Sequence, residues 1–150
     1  MLESVLTILI AGSSVLLFGY WFRYTSLLIL SAKTARDYAV DVARANQLGF
    51  LEVQAQLRAS ALPDLERLHL SLDRDYALIT YLIQHASGTQ GESGLEDRML
   101  QVNYKLMSAW YQVSHRFSAE MGRKALDEMS DVIGHFANAM GERAACPSAA

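Results

Sequence analysis

Glu66, Arg67, Leu68 and His69 form an E-x-x-H sequence, the spacing in this chain that comes nearest to chemistry. On a helix, residues three apart share a face, so a carboxylate and an imidazole would meet there. Di-metal four-helix bundles use two such pairs and two further glutamates. A second E-x-x-H is missing, and Asp131 with His135, four apart, is the nearest substitute. Leu68 and Leu72 mark an apolar stripe that would turn Glu66 and His69 to its edge. Two solvated side chains are therefore the simpler expectation. A metal-dependent enzyme needs Glu66, His69, Asp131 and His135 to converge.

The remaining reactive side chains are more isolated. His85 and His115 have no serine elbow or acid partner nearby in sequence. Cys146 is the single cysteine, which excludes an internal disulfide and a CxxC metal site. In "CPSAA" it stands one residue too early for a prenylation box. Neither GxGxxG nor GxxxxGK[ST] occurs, so no phosphate cradle can be argued. We therefore expect no catalytic residues, no metal and no cofactor. The net charge is -3, and Lys and Arg alternate with acids instead of forming a patch. Nucleic acid is not an expected partner, because phosphate binding needs a basic footprint.

What would have to position any site is legible in the hydropathy. Val5 to Phe22 reads "VLTILIAGSSVLLFGYWF" and carries no charge. At about 1.5 Å per residue it would span about 27 Å, which matches a bilayer's hydrocarbon core. Tyr20, Trp21, Arg23 and Tyr24 follow as a membrane-interface group: amphipathic rings prefer the headgroup level, and an arginine there can snorkel outward. The rival span runs on to Ala32, reaches about 42 Å and encloses the arginine. Glu3, with no Lys or Arg before the span and no clear A-x-A cleavage site behind it, favours a retained anchor over a cleaved leader. Arg23, Lys33 and Arg36 all follow the span, so the positive-inside rule puts the N-terminus outside and the C-terminal part in the cytosol. Gly12 and Gly19, two turns apart, form a small-residue face without a GxxxG.

Leu27, Leu28, Ile29 and Leu30 are four consecutive apolar residues that wrap most of a helix's circumference. Either they dip into the membrane interface or a partner surrounds them, and they are the candidate partner-binding collar.

The rest of the chain reads as helices, with no sustained period-2 alternation. The first helix is expected to continue as a rod through Ala35, Tyr38, Val42 and Ala45 to a stop at Gly49. A short helix with Phe50 or Leu51, Val53 and Leu57 inward comes next. Pro63, Asp64 and Glu66 suit a helix start. Leu65, Leu68, Leu72, Tyr76, Ile79 and Ile83 form its stripe, with Gly88 as terminator. "GTQGESG" is the clearest loop. Two adjoining stripes follow: Met99, Val102, Leu106, Trp110, Val113 and Phe117, beside Leu100, Tyr104, Met107 and Tyr111. Their joint width predicts a helix touching two neighbours. Ser118 then caps a last helix with Met121, Ala125, Met129, Val132, Phe136 and Met140 inward.

The fold class expected is all-α: a single N-terminal transmembrane helix continuing into an up-and-down bundle of about four helices. Residues 1–25 form the anchor, 26–143 the bundle and 144–150 a flexible tail. Such a chain is expected to be a non-catalytic, single-pass interaction protein, a small accessory or scaffold subunit. Its partners would be the lipid bilayer and another membrane protein or copies of itself. The alternative is a sensor or small-molecule-binding bundle with a pocket lined by Tyr104, Trp110 and Tyr111. Its mark would be a cavity lined with unpaired polar groups.

Overall fold

The computed structural model describes residues 1–32, 36–59, 63–86 and 94–145. Lys33, Ala35, residues 88–93 of the glycine-rich loop, and Cys146 with the end of the chain lie outside the described residues. Six helices and no strands are present among those described. They divide into two units, Met1–Ala32 and Lys33–Ala150.

The first unit is α1, Leu2–Ser31. Apolar residues are spread around its whole circumference, and it is long and apolar enough to cross a membrane. Thr7, Ser13, Ser14 and Thr25 each donate their hydroxyl to the carbonyl four residues earlier, so these four hydroxyls are satisfied within the helix, whereas the buried Ser26 hydroxyl has no partner among the described residues. A Cβ added at Gly12 or Gly19 would meet nothing within 4 Å, so space does not require glycine at either position.

The second unit holds α2 (Ala39–Asn46), α3 (Phe50–Ala59), α4 (Leu65–Ala86), α5 (Leu95–Ser114) and α6 (Ala119–Ala145). The expected rod is broken. α1 ends at Ser31, and Ala32 is extended with ψ 120°. The next helix starts on side-chain acceptors: Asp37 Oδ1 takes the Ala39 N–H at 2.9 Å, and Asn138 Oδ1 takes the Tyr38 N–H at 2.7 Å. Amides committed to side chains cannot also bond carbonyls one turn back, so α2 begins afresh. Its far end also differs from expectation. Gln47, not Gly49, adopts the left-handed conformation, at φ 54°. The N–H groups of Gln47 and Leu48 both return to the Ala43 carbonyl.

Gly49 serves a different purpose. Its N–H donates to Asp75 Oδ2 at 2.7 Å, and an added Cβ would lie 3.0 Å from Ser71 Oγ. Asp75, buried on α4, also accepts from the Phe50 N–H. A carboxylate from a distant helix thus caps the start of α3. Burial raises the Asp75 carboxyl above its ordinary range, and the two backbone donors and Arg74 partly offset this.

α6 is the central element and packs on α2, α3, α4 and α5. Ala125, Leu126, Met129, Val132, Ile133, Phe136 and Ala137 are all buried, so its apolar face is much wider than one stripe. Met121, expected inside, is exposed. Phe50, Val53 and Leu57 of α3 and Leu68, Leu72 and Ile79 of α4 complete the core as their periodicity implies. α2 and α6 approach so closely at Gly141 that an added Cβ would collide with the Cβ of Tyr38.

Candidate functional site

α5 meets its neighbours with one of its two stripes only. Leu100, Tyr104, Met107 and Tyr111 are buried, together with Asn103 and Ser114. The other stripe faces outward: Val102 is 56 % exposed, Leu106 46 %, Trp110 49 %, Val113 54 % and Phe117 83 %. α5 does touch two neighbours, as its width predicts, but it does so without its second stripe. Tyr104 reaches α4 and Asn103 reaches α6 from the same buried side, so both contacts leave the second stripe free. Leu95 at the start of α5 extends the ridge, and Met121 just beyond it is also exposed. Isolated exposed apolar residues are ordinary, whereas these form a contiguous row with a tryptophan near its centre.

The edges of this ridge differ in charge. Arg98 and Lys105 are exposed and, seven residues apart on α5, lie along one side. On the other side Asn103 Nδ2 donates to Glu128 Oε1 of α6 at 2.8 Å, which holds a carboxylate beside the ridge.

Behind the ridge lies a polar seam between α4 and α5. Tyr104 Oη donates to Asp73 Oδ1 at 2.9 Å, and its ring stacks on Tyr76 at 3.8 Å between centroids. Burial, then the Asp73 charge and hydrogen bond, push the Tyr104 phenol far above its ordinary range. His69 shares a hydrogen bond of 2.9 Å between Nε2 and Ser108 Oγ, and its ring stacks on Tyr111. Tyr111 in turn stacks on His115. An open cleft of about 380 Å³ runs along the seam, lined by Asp73, Tyr76, Tyr104, Lys105 and Ser108 among others. The buried hydroxyls of Tyr111 and Ser114 have no hydrogen-bond partner among the described residues. Of the three aromatic residues expected to line a pocket, Tyr104 does so, Tyr111 is buried behind it and Trp110 faces away.

The metal constellation does not assemble. Among the described residues no three His, Cys, Asp or Glu side chains are placed to hold a metal ion. Glu66 is exposed, whereas His69 is only 8 % exposed, which corrects the expectation of two solvated side chains. Ser108 and the Tyr111 face supply the contacts that let an imidazole sit inside, and neither is visible from α4 alone. Asp131 accepts from Gln54 Nε2 at 3.3 Å on the far side of α6. Although this residue is exposed as a whole, its carboxyl is pushed up to about 6. Desolvation contributes most, followed by Asp127, with Arg58 opposing and Glu128 adding. His85 stacks on Tyr81 and bonds the Tyr81 carbonyl within its own helix. Of the five methionines on α5 and α6, Met129 and Met107 are buried, Met99 and Met140 half-buried and Met121 exposed.

On α1, Tyr20, Trp21 and Tyr24 are exposed and Arg23 is half-buried, with the Tyr20 and Tyr24 rings stacked at 6.4 Å. Leu27 and Leu28 are exposed, whereas Ile29 and Leu30 are half-buried. No family model matches this chain, and neither curated proteins nor solved structures give a significant match.

Proposed function

We propose that this chain is a non-catalytic, single-pass membrane protein whose work is to bind other proteins, as a small accessory or scaffold subunit. The observation that carries the reading is the exposed apolar ridge of α5, on a helix that had a buried face to spare. An all-round apolar helix of 30 residues supports the anchor. In this reading α1 spans the bilayer as a single helix, ahead of a bundle in which α2, α3, α4 and α5 all pack on α6. Tyr20, Trp21, Arg23 and Tyr24 sit at the cytosolic headgroup level, the N-terminus is outside, and Lys33–Ala150 is cytosolic. Leu27 to Leu30 form a collar that meets either headgroups or a neighbouring membrane protein.

Extraction tests the reading. The native protein should stay in the membrane fraction at alkaline pH, with its C-terminal part digestible only after the cytosolic side is opened. In mild detergent it should run as an assembly, larger than one chain. Release by alkali, or a monomer without any associated chain, would overturn the proposal.

A sensor function is the second reading, favoured by the cleft along the α4–α5 seam and by the unpartnered Tyr111 and Ser114 hydroxyls. It predicts a small molecule retained through purification and identified by mass spectrometry of the denatured protein.

A further inference from the structure

We infer that the α5 ridge is covered by the same ridge of a second copy of this chain, the two α5 helices lying parallel and in register. The inference rests on the interaction reading above and names its partner. Met99, Val102, Leu106, Ala109 and Val113 recur at alternating steps of three and four, the seam along which two helices pack knobs into holes. Ala109 is exposed like its neighbours, so the seam is open through its middle. With Leu95, Trp110 and Phe117 the ridge offers on the order of 700 Å² of accessible apolar surface. A standard protein interface takes about 800 Å² from each partner.

Charge selects the direction. Arg98 and Lys105 hold one flank of the seam, and Asn103, Trp110 and Phe117 hold the other. In an antiparallel pair like flanks meet, so the two Lys105 ammonium groups would share one edge and repel. In a parallel pair unlike flanks meet. Lys105 of one copy then lies against Trp110 of the other, within the reach of a cation–π contact. Arg98 meets the edge where Asn103 holds the Glu128 carboxylate. An anionic lipid surface fits less well, because that same edge carries a carboxylate, and Asp131, Asp127 and Glu120 are exposed farther along α6.

The test uses the full chain in mild detergent, with Cys146→Ala as background. Met99→Cys and Val113→Cys should each cross-link to itself under mild oxidation and give dimers. In sedimentation the parent should have the mass of two chains, and Leu106→Glu the mass of one, with its helical circular dichroism retained. Cross-linking only when the Met99→Cys and Val113→Cys proteins are mixed would mean an antiparallel pair and overturn the inference. A parent of one chain mass would overturn it too, as would a dimer unaffected by Leu106→Glu, which would assign pairing to another surface such as Gly12 and Gly19. If Trp110, in a Trp21→Phe background, is quenched by brominated lipids while the chain stays monomeric, lipid is the occupant and the inference falls. A monomer bound to a different protein would sink this inference and leave the interaction reading standing. A soluble dimer would do the reverse for the membrane anchor.

Discussion

Asp75→Ala should be among the most damaging single changes in the helical unit that does not empty its core. The carboxylate lies inside the unit and accepts the N–H groups of Gly49 and Phe50 at the start of α3. Removing it leaves two amides at a buried helix start without an acceptor. A lost cap costs about 1 kcal/mol, and each buried unsatisfied group about 1–3 kcal/mol. Water reaching the gap recovers part of this, so the net expectation is about 2–4 kcal/mol. At roughly 4 °C per kcal/mol for a unit of this size, thermal unfolding followed by circular dichroism should fall by about 8–16 °C. Asp75→Asn keeps an oxygen acceptor and should cost less than about 1 kcal/mol. The pH dependence supplies a second readout. Burial holds the folded Asp75 carboxyl above its unfolded value of 3.8, so the folded state binds more protons in the window just above pH 3.8. Its contribution to stability therefore falls as pH rises through that window, and Asp75→Asn should remove this slope. If the Ala and Asn variants unfold together, or if Ala is neutral, the cross-helix cap is not what holds α3.

Four further expectations follow from the same geometry. Gly141→Ala drives a Cβ into the Cβ of Tyr38 and should force α2 off α6 at a cost of about 1–3 kcal/mol, measured by thermal unfolding. Gln47→Gly relieves a left-handed non-glycine residue at φ 54° and should stabilise by up to about 1 kcal/mol in the same assay. The Asp131 carboxyl, pushed up to about 6 from 3.8, binds its proton more tightly when folded, so its contribution weakens between about pH 4 and 6; Asp131→Asn should flatten the unfolding temperature across that interval. Tyr104 should resist alkaline ionisation until the unit unfolds, and Tyr104→Phe should delete that delayed step in an absorbance titration while costing about 1–3 kcal/mol through the lost bond to Asp73.

The sequence was most readable where a helix buries a single narrow stripe. Phe50, Val53 and Leu57, and Leu68, Leu72 and Ile79, are buried as their spacing requires. Each set lines a single face, and hydrophobic periodicity records a single face well. It failed where a helix buries more, or less, of its apolar surface than its pattern suggests. The wide apolar surface of α5 implied two contacts; α5 makes both from one stripe, and the other stripe stays outside. α6, read as one stripe, packs against four helices and buries Leu126, Ile133 and Ala137 as well. Nothing in a helical period says how many partners will arrive.

Breaks and caps show the same division. Asp37 near the start of α2 is a local acceptor, so the interruption of the expected rod was available in the chain itself. Asp75 closing α3 was not, because 26 residues separate it from Gly49. Likewise His69 is buried through Ser108 and Tyr111, which lie on another helix.

By itself, then, the amino-acid order determined the helices of the described residues, an apolar N-terminal helix long enough for a bilayer, and the inward faces of α3 and α4. These follow from local properties: backbone preference, length and the 3.6-residue period. Tertiary structure alone decided which of two equivalent α5 stripes is buried and which remains exposed. Both stripes satisfy the same periodicity, and only the positions of α4 and α6, with the hydrogen bonds of Tyr104 and Asn103 to them, break the tie.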